Sequence, residues 1–335
     1  MEIRENVILA PYTTFRIGGP ARYFCEVESV IDLKSVLKFS KENNLPLFVL
    51  GGGSNILISD NGFDGLVIKI GIRGLEFKDC GSHTTLNAGA GEDWDFVVGR
   101  AVDHNLGGIE NLSLIPGTVG GAVYQNIGAY GAELKDTLKS VEVLNTKSEE
   151  VILLSNEDCK FGYRDSVFKN KEGDNFVITK VNLKLLKNRE PKIAYPDLVK
   201  IFKDKEPSIL EVRNAIIQIR KTKLPYPNEL ANAGSFFKNP VVTEIQFKNL
   251  ISDYIDLKGF NQENGLVKLS AAQLIEKCGW KGKIRGNTGV SEKHSLVLVN
   301  YGNGTAKEVA NLAEKIKEGI RKEFGVDLEP EVQII

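Results

Sequence analysis

The serine of NAGSFFKNP, at 232–240, is the first place where this sequence could do chemistry. A hydroxyl beside two phenylalanines is either a structural cap or a proton kept away from bulk water, and capping is the commoner use of a serine after glycine. No Gly-x-Ser-x-Gly elbow surrounds Ser235, which argues against a hydrolase nucleophile. An alcohol is a weak acid, so a proton donor of this kind suits a strongly basic acceptor such as a carbanion.

Arg164, in FGYRDS, could bind a carboxylate and stabilise charge that develops beside it. A guanidinium stays protonated and can hold a carboxylate through two parallel hydrogen bonds. The spacing alone favours a different interpretation, a surface arginine paired with the neighbouring Asp165. On the residues alone, both interpretations stay open.

Two glycine-rich segments predict a large, flat ligand. The first glycine segment, GGGSN at 51–55, follows the apolar strand pattern LPLFVL at 45–50, and the second, LIPGTVGGAVYQNIGAYGAEL, occupies 114–134. Neither contains G-x-G-x-x-G or a P-loop, which disfavours the common dinucleotide fold. Backbone N–H groups of such segments can cradle phosphates, so two of them in one domain favour a dinucleotide. The alternative is that both are tight corners without a ligand.

The elements that must position these residues read as an α+β protein, a glycine-rich strand domain followed by a smaller helix-and-strand domain. The polar, proline-bearing stretch at 187–208 is typical of a linker or mobile loop. Beyond it, SILE, SAAQ and TAKE each match the capping box that begins a helix. The predicted helices are at about 30–43 and 93–106, with starts at 208–211, 270–273 and 305–308; LEPEVQII at 328–335 is predicted to close the chain as a strand.

Composition excludes several classes of function. The 335 residues carry a formal net charge of -1, which gives no general attraction to nucleic acid or anionic membranes. Four cysteines and three histidines are scattered without C-x-x-C spacing, so we expect neither disulfides nor a metal site. The opening residues lack the order of a signal peptide, and no stretch is apolar enough to span a bilayer. We therefore expect a cytoplasmic protein with no membrane insertion and no obligate protein partner.

Six blocks occur in an order that resembles one family. They are GGGSN, IPGTVGGAVYQNIGAYG, FGYRDSVFK, RKTKLPYP, NAGSFFKNP and LEPEV. The resemblance is to the UDP-N-acetylenolpyruvoylglucosamine reductases of bacterial peptidoglycan precursor synthesis, and it runs from about residue 13 to residue 335. It implies an FAD-binding domain of the vanillyl-alcohol-oxidase type at 1–204, in subdomains of about 1–72 and 73–204. A substrate-binding domain would follow at 205–335.

The same resemblance implies the reaction and its cofactors. NADPH, the co-substrate, would reduce non-covalently bound FAD, and the reduced flavin would deliver a hydride to the enolpyruvyl group of UDP-N-acetylglucosamine enolpyruvate. The product would be UDP-N-acetylmuramate. A basic intermediate next to a carboxylate needs fixed positive charge and one proton donor, which are the tasks that suit Arg164 and Ser235.

Specific residues follow from the match to the family's motifs. Arg164, Ser235 and Glu331 would be catalytic, with Glu329 on the same strand face as an alternative register for the acid. Tyr195, in a substrate-gating loop near 188–205, would mark the long-loop branch of the family. Lys223, Asn239 and His294 would lie near the diphosphate and sugar. The resemblance implies FAD contacts at Gly51, Gly52, Gly53, Ser54, Asn55, Pro116, Gly117, Thr118, Gly120, Gly121, Asn126, Gly128, Ala129, Tyr130 and Gly131.

Two other functions fit the same features less well. One is a flavin oxidase of the same fold, whose covalent versions need a histidine or cysteine that the glycine segments lack. The other is a protein that binds a nucleotide without turnover. The chain also departs from its relatives at Asn287 and Thr288, where smaller residues are commoner, and it lacks the tail that some relatives carry after residue 335.

Overall fold

The computed structural model describes residues 1–203 and 205–335. They form two compact units, the first made of residues 1–7, 21–52 and 64–221, the second of 8–20, 53–63 and 222–335. Among the described residues, no helix is both long and apolar enough to cross a membrane. The predicted domain boundary falls at residue 204, which lies outside the described residues, so the domain limits stay a prediction.

Helices and strands are interspersed along the described residues. The helices are α1 Val30–Glu42, α2 Trp94–Asp103, α3 Val119–Gln125, α4 Pro196–Phe202, α5 Ile209–Lys223, α6 Glu244–Asp253, α7 Ala271–Lys277 and α8 Ala306–Phe324. The strands are β1 Arg4–Ile8, β2 Pro20–Val27, β3 Leu47–Leu50, β4 Ile56–Leu57, β5 Phe63–Ile70, β6 Leu75–Asp79, β7 Thr84–Gly89, β8 Leu106–Gly107, β9 Gly128–Ala129, β10 Ala132–Glu133, β11 Leu138–Asn145, β12 Val151–Ser155, β13 Phe176–Lys187, β14 Ala231–Ser235, β15 Val241–Thr243, β16 Gly259–Asn261, β17 Leu266–Leu269, β18 Ile284–Arg285, β19 Thr288–Val290, β20 Val297–Asn300 and β21 Gln333–Ile334.

Two larger sheets build most of the first unit, which also contains the two-stranded β9-β10 sheet. One has the order β1-β2-β5-β3, with β3 parallel to β5. Parallel strands need a crossover, and strands buried on both faces read as continuous apolar runs, which explains LVIKI in β5; β3 lies at the edge of the sheet and leaves Leu47 and Val49 exposed. The other sheet is antiparallel in the order β12-β11-β13-β7-β6, and β8 also pairs with β13. Residues 140–145, 151–155 and 176–186 lie in β11, β12 and β13 of this sheet.

Helix α2 supplies the apolar face that covers the antiparallel sheet's core. Trp94, Val97, Val98, Ala101 and Val102 are all buried, as the 3.6-residue period predicts. The Trp94 ring also donates a hydrogen bond from Nε1 to the Leu112 carbonyl, at 2.9 Å. This bond satisfies the one polar atom of a buried indole and fixes the chain just before the second glycine segment.

The segment predicted as a loop at 188–205 contains helix α4. Leu198 and Phe202 of α4 are buried in a cluster with Val212, Ile216 and Ile219 of α5. The polar composition of the segment concealed this, because only two residues of α4 face the cluster. Tyr195 immediately precedes α4, and its side chain is exposed.

The second unit packs helices α6, α7 and α8 with short antiparallel sheets. Its core cluster includes Phe236, Phe237, Leu298 and Ile316. Helix α8 begins with the predicted box, because Thr305 Oγ1 accepts the Glu308 N–H and the Glu308 carboxylate accepts the Thr305 N–H. The chain then returns to pair β21 with β4 in parallel.

The other two predicted helix starts are also present. Ser208 and Glu211 exchange reciprocal hydrogen bonds at the start of α5. At α7, Ser270 accepts the Gln273 N–H, whereas the Gln273 side chain accepts the Lys258 N–H instead of closing a box. The predicted terminal strand is shorter than expected, since β21 covers only Gln333–Ile334. A proline at 330 has no N–H to donate to a ladder, so the residues around it do not extend the strand.

Candidate active site

The first and second glycine segments approach each other so closely that side chains would not fit. A Cβ on Gly52 would lie 2.7 Å from the Gly117 Cα, and one on Gly51 would lie 2.8 Å from Thr118 Oγ1. Real Cβ atoms do not come this near to backbone atoms, so the spacing requires glycine at position 52, whereas the close contact at position 51 is with the Thr118 side chain. The glycines therefore fix the separation of residues 51–52 from residues 117–118.

Helix α3 begins inside the second glycine segment. Thr118 Oγ1 accepts the Gly121 N–H at 3.4 Å, which caps the helix. The backbone before it is tied down, because Trp94 N–H donates to the Gly117 carbonyl and Gly120 N–H to the Ala90 carbonyl. A Cβ on Gly121 would meet nothing closer than 3.5 Å, and one on Gly131 nothing within 4 Å. Open space therefore adjoins Gly131, while Gly121 is uncrowded apart from an ordinary contact with Thr118.

The first glycine segment changes unit after its second residue, and residues 53–55 belong to the second unit. Gly53 has a φ of 62°, and a Cβ there would overlap the Tyr12 carbonyl oxygen. Ser54 is half-buried. Asn55 joins the end of the chain, since its side-chain N–H donates to the Glu331 carbonyl at 3.1 Å and its own carbonyl accepts the Gln333 N–H at 3.0 Å.

Arg164 lies in the first unit, at the tip of a tight turn closed by two backbone hydrogen bonds between Gly162 and Asp165. Its φ of 55° places a non-glycine residue in the left-handed region, which costs of order 1–3 kcal/mol and persists only where the surroundings enforce it. The guanidinium donates from one Nη to the Gly128 carbonyl at 2.7 Å. The sequence-predicted catalytic arginine is thus hydrogen-bonded to the second glycine segment.

Lys169 stabilises the same turn. It belongs to the block FGYRDSVFK, but its contacts cannot be read from the sequence. Its Nζ donates to the Arg164 carbonyl at 2.7 Å and to Gln125 Oε1 at 2.6 Å, and it lies 5.6 Å from the Tyr124 ring centroid. Asn126 adds a further bond, from Nδ2 to the Gly162 carbonyl at 2.9 Å.

Asn126, predicted as an FAD contact, is fully buried and its Oδ1 accepts the Lys135 N–H. Both polar ends of its carboxamide therefore bind the backbone of this chain. In this arrangement the side chain joins the second glycine segment to the Arg164 turn.

Tyr130 and Tyr195 form an aromatic pair, with ring centroids 5.1 Å apart in an edge-to-face arrangement. Burial raises the pKa of the Tyr130 hydroxyl, and a hydrogen bond from Arg220 opposes that shift. Burial also lowers the pKa of Arg220 itself. The Tyr130 carbonyl and the Lys192 carbonyl both accept from Asn111 Nδ2, at 2.8 Å each. The stem of the predicted gating loop is therefore tied to the second glycine segment.

Ser235 and Glu331 come together in the second unit. Ser235 ends β14 opposite Val297, and the next residue, Phe236, accepts the Glu331 N–H at 2.8 Å. Phe236 and Phe237 are both buried. Ser235 precedes no helix, since α6 begins at Glu244 with Thr243 as its cap, so the helix-cap alternative for Ser235 is wrong.

Glu329 faces a different environment from Glu331. Its side chain is 77% exposed and pairs with Lys238 at 3.6 Å, whereas Glu331 is half-buried. If Glu329 were the catalytic acid in place of Glu331, the acid would be a solvent-exposed carboxylate. Glu331, whose backbone adjoins Phe236, is the better placed of the two.

His294 and Lys223, two predicted substrate residues, share a positively charged neighbourhood in the second unit. Burial lowers the pKa of His294, and Lys281 and Lys223 lower it further, while Glu276 acts in the opposite sense. Asn239 Oδ1 accepts the Ala271 N–H at 3.0 Å, at the start of α7. Among residues 1–203 and 205–335, no group of three or more metal-ligating side chains is arranged to bind an ion.

Comparisons with known proteins identify related chains. An FAD-binding domain family matches residues 21–154, and the C-terminal domain family of UDP-N-acetylenolpyruvoylglucosamine reductase matches residues 226–335. A UDP-N-acetylenolpyruvoylglucosamine reductase of Flavobacterium johnsoniae is 43% identical over 100% of both chains, and one of Photobacterium profundum is 42% identical over 100% of this chain and 96% of its own. The crystal structure of the reductase from Thermus caldophilus superposes with a TM-score of 0.70 at 28% identity, covering 99% of each chain.

Proposed function

This chain belongs to the UDP-N-acetylenolpyruvoylglucosamine reductase family, and on that premise we propose how its residues carry out the reaction. The protein is an FAD-dependent oxidoreductase that uses NADPH to reduce the enolpyruvyl group of UDP-N-acetylglucosamine enolpyruvate to UDP-N-acetylmuramate, in peptidoglycan precursor synthesis. Its fold is α+β, with an FAD-binding domain of the vanillyl-alcohol-oxidase type. When bound, FAD supplies the hydride donor.

The glycine segments fit a bound flavin nucleotide. The support is the open position at Gly131, where a Cβ would meet no atom within 4 Å, and the uncrowded position at Gly121, where it would make one ordinary contact with Thr118 Oγ1 at 3.5 Å. We assign FAD contacts to 51–55 and 116–131, where backbone N–H groups can bind phosphate and flat polar groups can lie against glycine. Asn126 contributes indirectly, because its carboxamide is already bound to the backbone.

Arg164 is proposed to bind the substrate carboxylate. Hydride addition to the terminal carbon of the enol ether leaves carbanion charge beside that carboxylate, and a fixed guanidinium stabilises it. A preorganised donor of this kind is worth about 3–4 kcal/mol of barrier. The hydrogen bond to Gly128 and the strained turn support the assignment, because they hold the side chain before substrate arrives.

Ser235 is proposed to give its proton to that carbanion, with Glu331 stabilising the charge or moving the proton. The two buried phenylalanines after Ser235 exclude water on that side, so that the substrate carbanion takes the serine proton. The observation that carries this assignment is the hydrogen bond from the Glu331 N–H to Phe236, which brings the two segments together.

Lys223, His294, Asn239 and Tyr195 are proposed to bind the diphosphate and sugar. The positive charges of Lys223 and Lys281 beside His294 support an anion in the second unit, while burial lowers the pKa of His294 and favours its neutral form. We further propose that 1–204 is the FAD-binding domain, that 205–335 binds substrate, and that the protein works in the cytoplasm without an obligate protein or nucleic-acid partner. The net charge of -1 supports the last point.

The test separates the two half-reactions of Ser235→Ala. Reduction of the flavin by NADPH under anaerobic conditions is expected at the wild-type rate, because no substrate proton is involved. Reoxidation by the enolpyruvyl substrate is expected to slow about 10²–10⁴-fold, the usual contribution of a general acid. Ser35→Ala is the matched control, since Ser35 is exposed on α1 and its hydroxyl donates to the Ile31 carbonyl. Normal reoxidation of the Ser235 variant would show that the proton comes from another group.

A further inference from the structure

We propose that Asp95 and Arg213 are positioning residues for the cofactor, acting on the backbone at Leu114. Together these three residues form what we call the Leu114 clamp. The inference rests on the proposed role of the second glycine segment in FAD binding. Asp95 and Arg213 would not touch FAD themselves. They would fix the backbone position at the start of the second glycine segment.

Leu114 is held in a conformation that its side chain disfavours. Its φ is 58°, in the left-handed region that glycine or asparagine usually occupies. For a residue with a Cβ this conformation is disfavoured by a factor of roughly 5–30. Leu114 is only half-buried and belongs to none of the buried core clusters, so packing of its side chain does not explain the turn.

Both backbone polar groups of Leu114 are bound. Asp95 Oδ1 accepts its N–H at 2.6 Å, and its carbonyl accepts from Arg220 Nε at 3.2 Å. Asp95 lies in the first turn of α2, where the helix dipole favours a carboxylate. The turn is therefore enforced from both sides.

Arg213 fixes the carboxylate that holds Leu114. Its two Nη atoms donate to the two oxygens of Asp95 at 2.7 and 3.0 Å, a bidentate pair, and one of them also donates to Ser113 Oγ at 2.9 Å. The side chains are 14% and 26% exposed, so the pair is shielded from the solvent that weakens surface ion pairs. Arg213 and Arg220 lie seven residues apart on α5 and so share one helical face.

The Leu114 clamp acts on the rest of the second glycine segment because the backbone between Leu114 and Gly117 has little conformational freedom. Residue 116 is a proline with fixed φ, and Gly117 already lies at the closest approach to Gly52. A change in the Leu114 backbone would therefore be passed to Gly117 and to the capped start of α3. Loss of the clamp should weaken FAD binding before it unfolds the unit.

The experiment measures the FAD dissociation constant of reconstituted apoprotein. Asp95→Ala is expected to weaken binding about tenfold or more, because Leu114 is then free to leave its turn. Asp95→Asn keeps an acceptor for the Leu114 N–H and loses the ion pair, so a smaller loss is expected. Adding Leu114→Gly to Asp95→Ala is expected to recover affinity about fivefold, since glycine adopts the turn freely. Leu114→Asn serves as a second rescue variant.

The outcomes distinguish failure of the Leu114 clamp from failure of the proposed FAD site. Gly121→Leu places a larger side chain at the uncrowded start of α3 and tests the proposed FAD contact directly. If Gly121→Leu weakens FAD binding and Asp95→Ala and Arg213→Lys do not, the clamp is refuted and the site stands. If none of them weakens it, both fall. If Asp95→Ala weakens FAD binding and neither Leu114 variant restores any of it, Asp95 acts only on general stability and the inference is wrong.

Discussion

Replacing Gly52 by alanine should weaken FAD binding without changing any polar group. The new Cβ would lie 2.7 Å from the Gly117 Cα, 3.1 Å from its carbonyl carbon and 3.2 Å from the Thr118 nitrogen. Comfortable carbon contacts are at about 3.5–4.0 Å, so the two glycine segments must separate by roughly 1 Å. All three neighbours are backbone atoms, so no side-chain rotation can relieve the contact.

The expected size follows from overpacking. Forcing an extra carbon into a closely packed site costs about 1–3 kcal/mol. If that cost is borne when the segments close on the cofactor, it corresponds to a roughly 5–150-fold weaker FAD dissociation constant. The φ of Gly52 lies outside the left-handed region, so backbone strain adds nothing and the contact alone is tested.

The assay is a fluorescence titration of the apoprotein with FAD, alongside thermal unfolding of the same samples. Gly319→Ala is the matched control, because its Cβ would meet only Trp280 Nε1 at 3.5 Å and alanine favours the helix by up to about 1 kcal/mol. An unchanged FAD dissociation constant in a folded Gly52 variant would refute the claim that the two segments close on the cofactor.

Two other predictions test the second unit and the Arg164 turn. His294→Gln should flatten the pH dependence of stability, because burial holds the His294 pKa below about 6.5, so that as pH falls through that value the unfolded chain takes up the proton first and the free energy of unfolding decreases. Urea unfolding of the wild type and the variant, at pH values above and below about 6.5, measures this decrease. An equal decrease in the wild type and the variant would contradict the prediction. Lys169→Met removes two hydrogen bonds that position Arg164 and should slow reoxidation by substrate about tenfold or more while NADPH reduction is kept. Lys160→Met, whose Nζ pairs with exposed Glu172, is the control, and equal rates in both variants would show that Lys169 does not position the arginine.

Local signals in the sequence predicted much of the fold. Capping residues at 208, 270 and 305 marked helix starts because a cap bonds to N–H groups within three residues. The apolar run LPLFVL at 45–50 marked β3, which covers Leu47–Leu50. In the first glycine segment, Gly52 lies against the backbone of residues 117 and 118, and Gly51 lies against the Thr118 side chain. The types of residue needed for hydride and proton chemistry were also readable in the chain.

Local patterns failed where distant residues decide the outcome. Helix α4 was hidden because its stability comes from burying Leu198 and Phe202 against α5, not from its own composition. The strand predicted at 328–335 covers only Gln333–Ile334, after the proline at 330. The sequence also did not reveal that tertiary contacts bind both ends of the Asn126 carboxamide; the FAD contact of this residue stays a prediction.

The sequence by itself determined which residues could bind a phosphate, hold a carboxylate or give up a proton, because these abilities belong to side chains and short motifs. Only the tertiary structure decided which residues hold them in position. Asp95 and Arg213 are 118 residues apart in the chain, and Leu114 adopts a turn that its own type disfavours. No local pattern encodes such a pair, because its energy arises only when folding brings the two charges together in a place shielded from water.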